Sequence, residues 1–298
     1  MRTLRVELKN VSLTYGNRLL KARSFAAVKD FSCSFKQGKI YGFIGRNGAG
    51  KTSLLSIVAG YRKATSGNVQ VNGEDLFENQ AYASDIIFIY QRNFDEVYLR
   101  VRKYVENTAC YRPFFDLEYA YELLEKFNVP LKKRLKSLSK GQQSALSVAI
   151  GLASRCPLTI FDEAYLGMDA PTRDLFYREL LEEQGRHPRI IVMSTHLISE
   201  VEYLFDEVIM IDQGKLLVSG SYDEVIASGV SVTGAAQAVD TFAKGKRVLN
   251  TRTLGGMKEV VLRAPLLQED ELQAQDLHLE IGKMKLQDLF IQLTGGDK

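Results

Sequence analysis

Ile40 to Ile44 is an unbroken apolar run that stops at Gly45, turns through Arg46, Asn47, Gly48, Ala49 and Gly50, and enters an apolar-periodic stretch from Lys51 to about Ala59. A buried strand that hands over to a helix through a glycine-rich turn points to a mainly parallel sheet with helices packed on it. Gly45-x-x-x-x-Gly50-Lys51-Thr52 is also the phosphate-loop pattern, in the strand–loop–helix setting that the pattern requires. Glycines let backbone N–H groups turn inward around phosphate oxygens, and the helix presents its positive end to them. Lys51 is placed to reach the outer phosphates, and the Thr52 hydroxyl, with Ser53 beside it, to hold Mg²⁺. The plain alternative, a glycine turn before a helix with a chance Lys-Thr, leaves the apolar run on one side and the helical period on the other unexplained.

The 298 residues allow one large domain, or one domain with an appendage. Hydrophobic content of 45% and charged content of 25% are those of an ordinary globular chain, and a net charge of +3 is too small to argue for nucleic acid. Cys33, Cys110 and Cys156 are scattered without ligand spacing, which suits buried thiols in a reducing compartment better than a disulfide framework. Met1 to Lys9 is charged and strand-like, unlike a signal peptide. The longest apolar stretch, Ala145 to Phe161, is broken by Gly151, Arg155 and Pro157, so no bilayer-spanning helix is expected.

Arg5 to Tyr15 and Ala27 to Phe35 alternate apolar and polar residues and predict an antiparallel opening, with a loop or hairpin extension over Gly16 to Ala26. Asn68 to Val71 and Ile86 to Tyr90 read as further strands. From about Glu96 to Arg155 the period is helical, which predicts a helical subdomain, about 96–156, inserted in the sheet. Strands resume at Leu158 to Phe161 and Ile190 to Met193, with a hairpin from Glu207 to Ser219. Helices fit at Pro171 to Gln184 and Ile198 to Phe205. The pattern changes at Gly229: Val230 to Val232, Ala235 to Ala243, Arg247 to Asn250, Lys258 to Arg263, Glu269 to Gln275, Leu277 to Ile281 and Gln287 to Leu293 read as β-α-β-β-α-β and a last helix. The expected division is therefore 1–228 for an α/β core and 229–298 for a small α+β accessory domain.

Two constellations add chemistry. The strand Leu158 to Phe161 runs into Asp162-Glu163, and a carboxylate at the C-terminal end of a parallel strand beside a phosphate loop is suited to anchor Mg²⁺. Glu163 is then placed to orient or deprotonate a water. Alone, Asp-Glu after a strand is a common solvated turn. Leu138-Ser139-Lys140-Gly141-Gln142 opens a long apolar helix, where Ser139, the Gly141 amide and the helix N-terminus make an anion site; a Ser N-cap is an equally valid reading of the same residue.

In order and spacing these motifs resemble those of the ATP-binding cassette (ABC) ATPases over residues 3–226, with Leu138 to Gln142 similar to the family signature. The resemblance implies a P-loop ATPase core with an antiparallel β subdomain and an inserted helical subdomain, and ATP with Mg²⁺ as ligands. It implies an adenine contact at Tyr15, a Mg²⁺ contact at Gln91 beside Thr52 and Asp162, and catalytic roles for Glu163, His196 and Lys51. It also implies that Asp169 and the signature residues Ser139, Gly141 and Gln142 act at the site of a second ATPase subunit. The chain departs from the family pattern at Lys140, Ala164 and Met168, and by a long segment after Tyr15. The last 70 residues resemble an appendage of bacterial ATPases that pair with ABC-2-type membrane subunits. That implies permease partners, export, and a cytoplasmic position on the inner face of the cell membrane.

Overall fold

The computed structural model describes residues 3–16, 24–264 and 266–295. Strands β1 (Arg5–Tyr15) and β2 (Phe25–Lys36) pair antiparallel, as their alternation requires, burying Val6, Leu8, Val11 and Leu13 against Val28, Phe31 and Phe35. Most of the expected loop between them, residues 17–23, falls outside the described residues, and Phe25 and Ala26 belong to β2. Strand β3 (Ile40–Ile44) is buried along its whole length and leads through the glycine turn into helix α1 (Lys51–Val58). Strands β4 (Ser66–Val71) and β5 (Glu74–Asp75) extend the first sheet in the order β2-β1-β4-β5.

The central sheet gathers β3 with β6 (Ile86–Tyr90), β7 (Leu158–Asp162), β8 (Ile190–Thr195), β9 (Glu207–Asp212) and β10 (Lys215–Ser221). Its order is β10-β9-β3-β8-β7-β6; only β10 is antiparallel to its neighbour. Parallel strands covered on both faces read as continuous apolar runs, the form that β3, β6, β7 and β8 take in the sequence. Between β6 and β7 run α2 (Val101–Ala109), α3 (Leu117–Lys126) and α4 (Lys140–Ala153). Helix α4 is buried on most sides, and Gly151 is required there: a Cβ would stand 2.5 Å from the Phe161 ring of β7. Helix α5 (Ala170–Arg186) joins β7 to β8.

The helix expected from Ile198 to Phe205 is a single α turn, α6 (Ile198–Val201), which tightens into a 3₁₀ turn over Glu202–Leu204. The next residue, Phe205, seats its ring where Gly42 of β3 leaves room; a Cβ on Gly42 would lie 2.3 Å from it. Helix α7 (Tyr222–Ile226) follows β10.

The remaining chain builds a third sheet from β11 (Gly229–Ala235), α8 (Ala236–Ala243), β12 (Val248–Leu254), β13 (Met257–Arg263), α9 (Gln268–Asp276) and β14 (Glu280–Lys283), closed by α10 (Leu286–Leu293). The order is β12-β13-β11-β14, antiparallel throughout, the arrangement of a ferredoxin-like β-α-β-β-α-β unit. Val232, Val260 and Leu262 meet Val239, Phe242 and Ala274 of α8 and α9 in a separate small core. The last strand begins three residues later than the apolar pattern from Leu277 suggested. Leu277 closes α9, His278 turns with φ +53°, and Leu279 is buried before the strand starts.

The cysteines separate by environment. Cys110 is exposed, Cys33 half-buried and Cys156 buried. Burial pushes the Cys33 thiol up to about 12 and the Cys156 thiol up to about 11. Because the thiolate is the reactive form, one thiol should react promptly with a disulfide reagent at neutral pH, and two more only after unfolding; three fast thiols would contradict this packing.

Candidate functional site

Register places the site before any side chain is considered. Tyr90 pairs with Asp162, Asp162 with Ser194, and Ile44 with Thr195. The parallel strands β6, β7, β8 and β3 therefore end side by side, and the next residues out are Gln91, Glu163, His196 and Gly45. A ligand of an open α/β sheet is expected in the crevice beyond these ends.

The glycine turn is shaped by contacts that only glycines fit. Gly50 has φ +104°, and a Cβ there would stand 2.3 Å from the Ala27 carbonyl oxygen. At Gly45 it would meet Ile211 at 2.8 Å. The turn closes through the Ala49 N–H, which donates to Arg46 O at 3.1 Å, while Arg46, Asn47 and Gly48 face outward. Gly50 caps α1 with no side chain, and no acidic residue lies in the first turn. The positive end of α1 thus meets no carboxylate of its own, which is the condition for anion binding.

Lys51 is 6% exposed, and its ammonium donates to Gly45 O at 2.7 Å and Arg46 O at 3.2 Å. It also stands 3.3 Å from Glu163 Oε1. The same oxygen lies 3.0 Å from His196 Nδ1. An ionised carboxylate only accepts, so Nδ1 carries the proton and Nε2 is the ring nitrogen left for another partner. Glu163 has φ +49°, a left-handed backbone that costs a non-glycine residue energy and that clusters at functional sites. Its loop is held by Leu166 N donating to Glu163 O, and by Ser144 Oγ of α4 donating to Leu166 O at 2.8 Å.

Asp162 is buried as the last residue of β7, and its Oδ1 accepts from Ser194 Oγ. Thr52 is exposed at the start of α1. Among the described residues no group of three or more His, Cys, Asp or Glu side chains is arranged to hold a metal ion by itself. A cation here would rest on a hydroxyl, a carboxylate, an amide oxygen and phosphate oxygens. That all-oxygen set suits Mg²⁺, which keeps few protein ligands and shares them with substrate phosphates.

Tyr15 lies beside this turn despite the long segment after it: its hydroxyl is 3.1 Å from Ser53 Oγ. The Arg62 guanidinium sits over its ring at 4.9 Å. Neither Arg62 nor Ser194 belongs to a motif, and no local pattern signals either.

Gln91 lines a cleft of about 290 Å³ with Asn93, Lys140, Gln143, Ser144 and Gly167, between the end of β6, the start of α4 and the loop after Glu163. Ser139 caps α4 in a reciprocal box. Its Oγ accepts from Gln142 N at 3.2 Å, while Gln142 Oε1 accepts from Ser139 N at 3.3 Å. Gln142 Nε2 donates to Asn128 O, so both ends of this amide serve its own chain. Gly141 passes against the Gly167 carbonyl oxygen, 3.0 Å from where a Cβ would stand. Asp169 caps α5 through Thr172 N at 3.0 Å, and that hydrogen bonding holds its carboxyl below the usual range. The unexpected Lys140 pairs with Asp95 at 3.5 Å on the surface, while Ala164 and Met168 are buried.

Residues 28–166 match the family described as ABC transporter. The chain is 24% identical to the ABC transporter ATP-binding protein YtrB of Bacillus subtilis (strain 168) over 298 residues, 98% of this chain and 99% of YtrB. It is 32% identical over 242 residues to the methionine import ATP-binding protein MetN of Helicobacter pylori (strain J99), 75% of this chain and 69% of MetN. Among solved structures, the fold matches the dimeric post-hydrolysis state of the ATP-binding cassette MJ0796 bound to ADP and Pi with a TM-score of 0.62. That match has 20% identity and covers 73% of this chain and 98% of the other.

Proposed function

Because the chain belongs to the ABC transporter ATP-binding family and is an ATPase, we propose that it works as one of two cassettes that close over two ATP molecules and drive membrane-spanning permease subunits, in the export direction. The observation that carries the reading is the Lys51–Glu163–His196 cluster at the strand ends, with 3.3 and 3.0 Å contacts on one carboxylate oxygen. In this reading the turn from Gly45 to Ser53 wraps the phosphates, and Tyr15 stacks on the base. Lys51 exchanges its two backbone carbonyls for phosphate oxygens. Mg²⁺, held by Thr52, Asp162 and Gln91, supplies charge neutralisation at those oxygens. Glu163 orients the attacking water and takes its proton, and His196 reaches the outer phosphate with Nε2.

Ser139 and Gly141 of each chain grip the outer phosphate held by the other, with Asp169 at the same interface. Gln142 contributes through its capping bond to Ser139. The division into 1–228 as the ATPase domain and 229–298 as an accessory domain is part of this proposal. It is supported by the separate small core beyond Gly229. The YtrB alignment runs over 98% of this chain, so it takes in most of that accessory region, whereas the MetN alignment spans 75%. Export rests on the resemblance of this region to ATPases that serve ABC-2-type subunits. None of the helices among the described residues is long and apolar enough to cross a membrane, so the proposed position is peripheral, on the cytoplasmic face, held by the permease.

Affinity capture of the tagged full chain after detergent extraction is expected to bring down multi-span membrane proteins, and ATP hydrolysis should rise in that complex. Recovery of ribosomes or DNA in place of membrane proteins would overturn the partner assignment.

A further inference from the structure

The accessory domain joins the main core through α10, with Val261 of β13 and Met284 beside it. Helix α10 does not pack on its own domain's small core. Its Leu286, Leu289 and Phe290 join Ile198 and Val201 of the α6 turn, Leu204 of the 3₁₀ turn after it, and Val225 and Ile226 of α7, in the main hydrophobic core. The element that α10 covers begins two residues after His196, and Leu197 N is fastened back to Thr195 Oγ1 at 2.9 Å. The α6 turn is four residues long and has no side-chain N-cap. So short a helix has little stability of its own and takes its position from what packs on it.

A second tie runs the other way. Asp288 of α10, largely buried, pairs with Arg252 of β12 at 2.8 Å, which fixes the helix to the accessory sheet. The path runs from β12 through the Arg252–Asp288 pair to α10, by packing from α10 to α6, and along the backbone through Leu197 to His196.

We propose that Leu289 and Phe290 are positioning residues for His196, so that the accessory domain sets the rate of hydrolysis by how firmly α10 seats on α6. The inference rests on the assignment of His196 above. A shift of α10 moves the imidazole relative to Glu163 without touching Gly45 to Ser53, so it acts on turnover rather than on nucleotide affinity.

The test compares Phe290→Ala and Leu289→Ala with Val239→Ala, which opens the accessory domain's own core away from α6. Each is made in the full chain and measured for kcat, ATP KM and the imidazole ¹⁵N resonances. The chain has only three histidines, so His196 can be assigned by substitution and His187 serves as an internal reference. The α10 variants are expected to lower kcat about 3- to 10-fold with ATP KM within about 2-fold. They should shift the His196 resonances while His187 stays in place, and Val239→Ala should do neither. An unchanged kcat, a fall in kcat without a His196 shift, or an equal effect of Val239→Ala overturns the proposal. A native kcat in His196→Ala instead removes the assignment on which it rests.

Discussion

Glu163→Gln is expected to lower steady-state ATP turnover by about 10²- to 10⁴-fold, the range contributed by a positioned general base. That corresponds to roughly 3 to 5 kcal/mol of barrier. The amide keeps the shape of the side chain and an oxygen that can still accept from His196 Nδ1 and Lys51, the two groups now at 3.0 and 3.3 Å. What it loses is the ability to take a proton. ATP binding should therefore stay within a few-fold of native, because the wrapping groups from Gly45 to Ser53 are untouched. With hydrolysis blocked, the doubly gripped phosphates should persist, and light scattering should show a dimer that forms with ATP and not with ADP. Turnover near native in this variant would remove Glu163 as the base. A variant that binds ATP but stays monomeric would remove the shared-site reading.

The second large effect lies at the opposite end of the sheet. Arg189, just before β8, and Glu183 of α5 are both fully buried. Glu183 Oε1 is 2.8 Å from Arg155 Nε and 3.7 Å from Arg189 Nη1. The Arg189 guanidinium also donates to Thr159 Oγ1 and to Leu152 O, each at 3.2 Å, which joins β7 and α4 to the same node. Burial pushes the guanidinium below its usual range, as it does any cation withdrawn from water. Removing the carboxylate would leave that cation uncompensated. Glu183→Ala is expected to cost about 3–5 kcal/mol of stability, with a fall in Tm on the order of 10 °C. Glu183→Gln, which keeps an acceptor for Arg155, should lose less. Urea unfolding decides it: a loss under about 1 kcal/mol for Glu183→Ala would mean that the node relaxes or hydrates. Because the node sits at the strand starts and the site at the strand ends, the folded fraction should keep its ATP affinity.

Much of the site was readable from contiguous residues. A phosphate loop is one strand, one turn and one helix start, so Gly45 to Ser53 carries its own geometry in its glycines. The Asp162-Glu163 pair and the Ser139 cap are equally local. The element order around the third sheet was readable from its alternation, although β14 came three residues late because Leu277 and Leu279 are apolar for another reason: the first closes α9 and the second fills the core.

The sequence by itself determined where most elements form and which side chains are candidates for chemistry, since period, turn and cap are set within a few residues by backbone sterics and local hydrogen bonds. Tertiary structure alone decided what stands beside what. The ladder pairings of Tyr90 with Asp162 and Asp162 with Ser194 bring Gln91, Glu163 and His196 to one edge across separations that no local pattern encodes. Ser194 on Asp162, Arg62 over Tyr15, the Glu183–Arg189 node and the seating of α10 on α6 arise in the same way. Each depends on which buried faces the chain closes together, and that choice is made by the burial of the whole core rather than by any one segment.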